Sequence, residues 1–345
     1  MIPARHQDRH RESWREELAE AITDPAELLG ALGLDPALLT PALAAAARFR
    51  LRVPQAFVRR MRYGDARDPL LRQVLPVGEE LLDAEGYSGD PLGEAAANPA
   101  PGLLHKYHGR ALLVTTGACA VNCRYCFRRE FRYDAQVSTG GRWRAALEAI
   151  SADPTIEEVI LSGGDPLSLS NERLGSLSGS LASIPHVRRL RVHTRTPVVL
   201  PARVDEGFAH WLAHLPWPAA VVVHVNHAQE IDAPVADAFA RMRATGVTLL
   251  NQSVLLAGVN DDEGVLAALS TALFDAGVLP YYLHMLDRVR GASHFEVAEA
   301  RAQGLLRGLA ARLPGYLVPR LVREEAGAAG KTLIPLSTPP ETCKL

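Results

Sequence analysis

The alternation of short apolar runs with amphipathic segments, which begins near residue 111, limits the fold of this chain more than any other feature. Uninterrupted apolar runs are typical of strands that are buried on both faces. The segments between them have helical spacing, as in 235–246, where Val235, Phe239 and Met242 share one face. Such units predict a parallel sheet covered by helices. The runs are ALLVTTG (111–117), EEVILSGG (157–164), LRVHTRTP (190–197), AAVVVHVNH (219–227), VTLLNQSVLL (247–256) and LPYYLHML (279–286).

Changes in composition and hydrophobic pattern along the chain predict three regions. Residues 1–108 have the character of a helical region, residues 109–315 contain the βα units, and residues 316–345 form a C-terminal segment. A length of 345 residues agrees with about two domains or one large barrel. We therefore expect an α/β protein in which a TIM-like barrel, partial and of about six βα units, follows an N-terminal helical region.

The N-terminal region carries local signals for helices and for one loop. The segments 11–22 and 40–53 have helical spacing, and Asp24 precedes a proline, as helix-capping residues often do. The passage GYSGDPLGEAAANPAPG (86–102) is rich in glycine, proline and asparagine. It predicts a connection that runs over the surface.

Composition excludes several classes of protein. A formal net charge of −2 provides no field that would attract nucleic acid or an anionic membrane. No apolar run reaches the roughly 18 residues of a membrane helix, and the charged N-terminus lacks the apolar core of a signal peptide. We expect a cytoplasmic protein, in which clustered cysteines indicate metal binding or catalysis more often than disulfides.

Polar residues gather at the ends of the predicted strands. GACAVNCRYC follows the first run and GGDP the second, while HTRTP, HVNH, NQSVLL and HMLD lie at the ends of the others. In TIM-like barrels the carboxyl ends of the strands carry the active site. The sequence therefore predicts a site at this end of the barrel.

Three of the four cysteines, Cys119, Cys123 and Cys126, form a C-x3-C-x2-C pattern after the first predicted strand. Structural zinc usually takes four protein ligands, and only Cys343 or a histidine could supply the fourth. A cubane iron–sulfur cluster held by three cysteines would keep one iron open for a small-molecule ligand. The compact spacing disfavours three unrelated buried cysteines, and the set of only three clustered thiols favours the iron–sulfur interpretation over zinc.

The pattern, with Tyr125 before its last cysteine, resembles the signature of the radical S-adenosylmethionine enzymes. That resemblance implies a 4Fe-4S cluster whose open iron binds S-adenosylmethionine. SGGDPL (162–167) resembles the family's glycine-rich motif for this cofactor, and glycines allow a backbone to approach a ligand closely. The resemblance makes cofactor-binding residues of Gly163, Gly164, Asp165 and Gln252.

Further motifs, in the same order, resemble the lysine 2,3-aminomutase group, and most closely its members that make (R)-β-lysine for modification of translation elongation factor P. The resemblance implies an isomerase that converts L-lysine to (R)-β-lysine by radical 1,2-amino migration. It also implies an electron donor such as a flavodoxin or a ferredoxin, and a separate ligase that is similar to a lysyl-tRNA synthetase. The motifs are HKYHGRALLVTTGACAVNCRYCFRREF, LSGGDPL, TRTPVVLP, NQSVLLAGVND, YYLHMLD and GKT.

Members of this group also use pyridoxal 5′-phosphate. Lys331, in EEAGAAGKT, matches the lysine that binds pyridoxal covalently, although the preceding glycines are thinned to Gly327 and Gly330. Lys106 and Arg110 match the basic positions that hold the cofactor phosphate, with lysine in place of an arginine at the first. From residue types alone, a solvated loop lysine is the more common case, and the matched order of the motifs favours the pyridoxal lysine instead.

The resemblance also assigns groups to the substrate. Arg128 matches the arginine that binds the carboxylate of the amino acid, a contact that suits a guanidinium fork; the alternative is a surface arginine. Asp287 matches an aspartate that receives the distal ammonium, and Glu324 stands where related enzymes have a second aspartate. His224 and His227 have no assigned role, and we expect each to lie in the core or behind the site.

Several alternatives stay open at this stage. Asp262 follows GVND and only Cys343 lies in the tail, so we expect none of the structural zinc that some family members carry. The enzyme could act on free lysine for other metabolism or on another amino acid such as glutamate. A different class of function, a non-catalytic iron–sulfur or zinc binding module, also remains. The sequence does not distinguish a monomer from a homo-oligomer, or free lysine from lysine attached to the factor.

Overall fold

The structure, a computed structural model, describes residues 14–136 and 143–336. A nine-stranded sheet follows the order of the chain from β1 to β9. Strands β2 to β8 are parallel to one another, while β1 and β9 are antiparallel at the two edges. The strands are β1 Leu103–Tyr107, β2 Arg110–Thr116, β3 Glu158–Gly163, β4 Arg189–Thr194, β5 Ala219–Val223, β6 Thr248–Val254, β7 Leu279–His284, β8 Arg320–Arg323 and β9 Thr332–Leu333.

The predicted fold class is confirmed. Each of the six apolar runs contains one strand, from β2 to β7, and in the described part of the chain the edge strands do not pair with each other. The sheet is therefore a partial, open barrel. Three of its strands were not predicted. β1 (LLHKY) has only two buried apolar residues, β8 is a four-residue strand with an arginine at each end, and β9 has only two residues.

Helices cover the outer face of the sheet as the spacing predicts. Val235, Phe239 and Met242 are fully buried on α11, and its first turn is capped by Asp232. Asp262, which follows GVND, caps α12 in the same way by accepting the backbone N–H of Val265. The helices are α1 14–19, α2 Pro25–Ala31, α3 Leu39–Arg48, α4 Gln55–Val58, α5 Pro69–Arg72, α6 Tyr133–Gln136, α7 Arg144–Ala152, α8 Asn171–Ala182, α9 Thr196–Val199, α10 Glu206–Ala213, α11 Ala233–Arg243, α12 Glu263–Asp275 and α13 Glu299–Arg312.

The N-terminal region is helical, but its helices are short. Asp24 caps α2 by accepting the backbone N–H of Ala26 at 2.9 Å, as predicted. The interpretation of 86–102 as a surface connection is wrong at its centre, where Leu92 and Glu94 are each 3% exposed. A carboxylate is buried there because cations of the barrel neutralise it, which local composition cannot reveal.

A buried ion pair ties the N-terminal region to the loop that carries the three cysteines. Glu80 is 2% exposed, and its carboxylate accepts hydrogen bonds from Nε and Nη2 of Arg124 at 2.8 and 2.5 Å. Nη2 of Arg129 donates to the same carboxylate at 2.7 Å. Both arginines belong to the cysteine loop. The carboxylate of Glu80, which belongs to the N-terminal region, therefore fixes this loop from outside the barrel.

Replacement of Glu80 by glutamine should destabilise the protein. Two buried guanidinium groups would lose their counter-charge, and breaking a buried pair while a partner remains costs about 3–5 kcal/mol. We expect Glu80→Gln to lose free energy of unfolding of this order in a denaturant titration. Glu148→Gln removes a surface pair with Arg144 and should leave the unfolding midpoint unchanged. Equal midpoints for the two variants would contradict the role of Glu80.

Candidate active site

One cavity of about 550 Å³ opens at the carboxyl ends of the parallel strands. It brings together every residue that the sequence singled out for catalysis, cofactor binding or metal binding. These residues are Lys106, Arg110, Cys119, Cys123, Cys126, Arg128, Gly163, Gly164, Asp165, Gln252, Asp287, Glu324 and Lys331.

The three cysteines lie on the loop between β2 and α6, and their thiols are free of disulfides. Cys343 lies outside the described residues. Among those residues, no three His, Cys, Asp or Glu side chains are placed to hold a single metal ion. A cubane cluster binds each cysteine through a different iron atom, so three thiols on one cavity wall suit it without meeting at a point. The donor set therefore fits an iron–sulfur cluster.

The glycine pair at the end of β3 supports the cysteine loop. Gly163 has a φ of +111°, and a Cβ there would lie 2.9 Å from the carbonyl oxygen of Thr116. A Cβ on Gly164 would collide with the carbonyl of Ala118. The lack of side chains at these glycines therefore makes room for the backbone at the start of the cysteine loop. Close approach of a ligand, as predicted from the motif, explains only part of their role.

Asp165 has no free acceptor on its carboxylate. One oxygen accepts from Thr194 Oγ1 at 2.7 Å and from the N–H of Leu167 at 3.0 Å. The other accepts from the N–H groups of Arg195 and Thr196 at 2.7 and 3.0 Å. A carboxylate offers about four acceptor positions, so the side chain is occupied. Its predicted contact with a cofactor does not fit this side chain, which instead joins β3 to the end of β4.

An alternating chain of charges crosses the cavity. Lys331 Nζ donates to Glu324 Oε2 at 2.7 Å, and Lys106 Nζ lies 3.2 Å from Oε1 of the same residue. Lys106 Nζ is also 3.2 Å from Glu94 Oε1, and Glu94 holds Arg128 through two bonds of 2.7 Å. Lys106, predicted as a phosphate contact, is therefore engaged by two carboxylates in this structure.

Glu94 is a residue that the sequence analysis missed, and it changes the interpretation of Arg128. Glu94 occupies the Nε and Nη2 edge of the guanidinium, so Arg128 is buried and paired rather than a surface residue. Of the five guanidinium donors, Glu94 takes two, and Nη1 donates to Ser162 Oγ at 3.2 Å and to the carbonyl oxygen of Gly163 at 3.5 Å. One donor on Nη2 remains for a second carboxylate, and the long Nη1 contact with Gly163 is the one most easily exchanged.

The two carboxylates proposed for an ammonium group have opposite pKa shifts. Burial alone would raise the pKa of Glu324, but Lys331 and Lys106 outweigh it and hold the pKa at about 2. Burial raises the pKa of Asp287 to about 7, and the negative charge of Glu324 adds to the rise. Of these two carboxylates, Glu324 is thus a fixed anion and Asp287 gains its charge near neutral pH.

Arg110 is a cavity cation that no carboxylate of the described residues holds. Its guanidinium lies 4.8 Å from the ring centroid of Tyr107, and within the described residues no carboxylate pairs with it. Its guanidinium is thus available to an anionic ligand of the cavity, which suits the phosphate contact predicted for it.

Histidines line the inner wall between the cysteine loop and Lys331. His224 Nε2 lies 3.0 Å from Gln252 Nε2, and burial lowers the pKa of His224 to about 3. His193 and His284, which the sequence analysis missed, also line the cavity, and burial keeps the pKa of each well below 6.5. These imidazoles are neutral hydrogen-bonding groups. His227 lies apart and caps a short turn by accepting the N–H of Gln229.

The raised pKa of Asp287 should make stability depend on pH. Between its usual pKa of 3.8 and about 7, the folded protein holds a proton that the unfolded chain releases, so stability falls as pH rises through that window. The cofactor-free Asp287→Asn protein should therefore have a higher melting temperature than wild type above pH 7, with a difference that shrinks towards pH 4. Asp237→Asn, exposed on α11, should show no such trend. A pH-independent difference for Asp287→Asn would contradict the assignment.

Comparisons with known proteins identify relatives of this chain. The model of the radical SAM superfamily matches residues 113–268. The L-lysine 2,3-aminomutase of Escherichia coli K12 is 49% identical over 327 residues, which covers 94% of this chain and 95% of that protein. The enzyme of the same name from Haemophilus influenzae Rd is 47% identical over 96% of this chain and 98% of its own length. That from Clostridium subterminale is 38% identical over 78% of this chain and 64% of its own. Identity at this level across nearly the whole length shows that the chain belongs to the lysine 2,3-aminomutase family of radical SAM enzymes.

Proposed function

We propose that this protein converts L-lysine to (R)-β-lysine by moving the amino group from the α- to the β-carbon. One observation carries the proposal: a single cavity contains three cysteines, the lysine Lys331 and charges of opposite sign that match the two ends of lysine. The acidic end of the cavity, at Asp287 and Glu324, favours a distal ammonium over the carboxylate of glutamate.

The cavity residues fit the cofactors of the family. Cys119, Cys123 and Cys126 would hold the cluster, and Gly163, Gly164 and Gln252 would contact S-adenosylmethionine. Lys331 would hold pyridoxal covalently, with Arg110 and Lys106 at its phosphate. When bound, these cofactors would supply the radical that removes a hydrogen from the substrate and the conjugated system that stabilises the unpaired electron.

Arg128 positions the substrate from one side. It is held by Glu94 on one edge. Its free Nη2 donor binds the carboxylate of lysine, together with the Nη1 donor that makes only a long contact with the carbonyl oxygen of Gly163. Because the Glu94 pair fixes the plane of the guanidinium, the carboxylate is bound in one orientation. A fixed orientation is the main contribution that a protein makes to a radical migration.

Glu324 and Asp287 position the other end. The Lys331 ammonium donates to Glu324 Oε2 at 2.7 Å. Lys331 must lose a proton to act as a nucleophile, and it then leaves one carboxylate oxygen for the ammonium of the substrate. Asp287, with a pKa of about 7, is the group in the pocket that can accept a proton near neutral pH.

We further propose that the product serves the modification of elongation factor P in the cytoplasm, with a flavodoxin or a ferredoxin as electron donor. The support is the resemblance of LLHKYHGRALL and GACAVNCRYCFRREF to the members with that role. No helix among the described residues is long and apolar enough to cross a membrane. The rival interpretation, a non-catalytic iron–sulfur or zinc module, predicts that neither S-adenosylmethionine nor pyridoxal binds.

Lysine labelling offers a sharp test of Lys331, because the whole chain contains only Lys106, Lys331 and Lys344. Borohydride should fix pyridoxal phosphate to Lys331, as read by peptide mass spectrometry. Lys331→Ala should abolish the label while it retains wild-type iron content. The Lys344→Ala protein should be labelled to the same extent as the wild type. The Lys106→Ala protein should still be labelled at Lys331, but it should bind pyridoxal phosphate with lower affinity. Fixation to Lys106 or Lys344 in the wild type would overturn the assignment.

Substrate choice can be tested through the charged ends of the cavity. A charge-assisted contact contributes roughly 1.5–3 kcal/mol, or about 10- to 150-fold in an equilibrium constant. Asp287→Asn should therefore lower kcat/KM for lysine by at least about tenfold, with unchanged iron and pyridoxal content. Arg128→Lys should also be damaging, because an ammonium cannot hold Glu94 and a second carboxylate in one plane.

Glutamate is the discriminating substrate for these variants. The wild type and both variants should isomerise it poorly. Efficient turnover of glutamate by the wild type, together with lysine turnover that is indifferent to Asp287→Asn, would overturn lysine as the substrate.

A further inference from the structure

Arg195 connects the cysteine loop to the interior of the barrel, and no role proposed above uses its side chain. It directly follows β4 and is 4% exposed. Its Nη1 donates to Sγ of Cys123 at 2.8 Å. Its Nη2 donates to Gln73 Oε1 at 2.7 Å and to Glu230 Oε2 at 3.2 Å.

Several contacts hold this guanidinium against the sulfur. The backbone N–H of Arg195 is bonded to Asp165 at 2.7 Å, which fixes the start of the side chain. Glu230 is fully buried, and its other oxygen accepts from Gln73 Nε2 and from the N–H of Asn226 at 3.1 and 2.9 Å. Rotation of Arg195 away from Cys123 would leave Glu230 as an unpaired buried charge, which is strongly unfavourable.

Aromatic rings exclude water from the same guanidinium. Its central carbon lies 5.4 Å from the ring centroid of Phe57 and 5.5 Å from that of Tyr125. Both distances are within the range of a cation–π contact. A positive charge acts more strongly on its neighbours where water is excluded.

A cation at a ligand sulfur changes the electronic properties of an iron–sulfur cluster. Reduction adds one negative charge to the cluster, and hydrogen bonds to its sulfurs and nearby charge set the reduction potential. We propose that Arg195 raises the reduction potential of the cluster bound by Cys119, Cys123 and Cys126 through its hydrogen bond to Cys123, and that Glu230 limits this effect. The inference rests on the cluster of the proposed function but not on lysine as the substrate.

The test is an anaerobic redox titration of the reconstituted cluster, followed by electron paramagnetic resonance of the reduced form. Arg195→Met should bind iron as the wild type does. Its equilibrium constant for one-electron reduction should fall at least tenfold, which is about 59 mV towards more negative potential. Arg195→Lys retains the charge without the planar fork, and it should shift less than Arg195→Met in the same direction.

Glu230→Gln is the matched variant of opposite sign. It leaves the charge of Arg195 uncompensated and should shift the midpoint to more positive potential. General loosening of the site would move the Arg195→Met and Glu230→Gln midpoints in the same direction, so opposite shifts identify electrostatics. If Arg195→Met assembles no cluster, the midpoint potentials of Arg195→Lys and Glu230→Gln test the proposal instead. A negative shift in the first and a positive shift in the second support it, and shifts of the same sign contradict it.

An unchanged midpoint in a cluster-loaded Arg195→Met, or shifts of the same sign in Arg195→Met and Glu230→Gln, would overturn the proposal. A wild type that does not isomerise lysine, but whose variants shift as expected, would instead refute only the substrate assignment.

Discussion

The open edge of the sheet is closed by charged side chains rather than by backbone hydrogen bonds. Lys106 lies on β1 at one edge, and Glu324 directly follows β8 near the other; their side chains meet at 3.2 Å although they are 218 residues apart in the chain. Glu94 and Lys331 extend this contact on either side. A buried charge needs its partner, so the shape of the barrel mouth and the charges of the site depend on the same contacts.

The choice of cations within the cavity follows from their chemistry. The chain has 37 lysines and arginines together, and only three of them are lysines. Two of these three, Lys106 and Lys331, share the carboxylate of Glu324. Arginine stays charged in proteins, whereas lysine can release a proton and react. Arg128 and Arg195 therefore provide fixed positive charge, and lysine stands where the proposed function requires a neutral amine.

The sequence predicts the strands and the carboxyl-end cavity well, because apolar runs and cysteine spacing are local patterns. It could not reveal Glu94, which lies 34 residues before the guanidinium that it binds, inside a segment with the composition of a loop. Nor could it reveal the contact of Arg195 with Cys123 across 72 residues. The position of the GGDP motif at the end of a strand was predicted correctly. The hydrogen bonds of the Asp165 carboxylate could not be predicted, because only the fold brings their donors together.

Product analysis of the intact enzyme shows whether this cavity carries out a radical isomerisation of lysine. The protein would be purified without oxygen, assayed for iron, sulfide and pyridoxal, and incubated with L-lysine, S-adenosylmethionine and a strong reductant. The wild type should form (R)-β-lysine, as detected by chiral chromatography. A Cys119→Ala protein treated in the same way should form no product. A fully loaded wild type that leaves lysine unchanged, or product formation that survives Cys119→Ala, would contradict the proposed function.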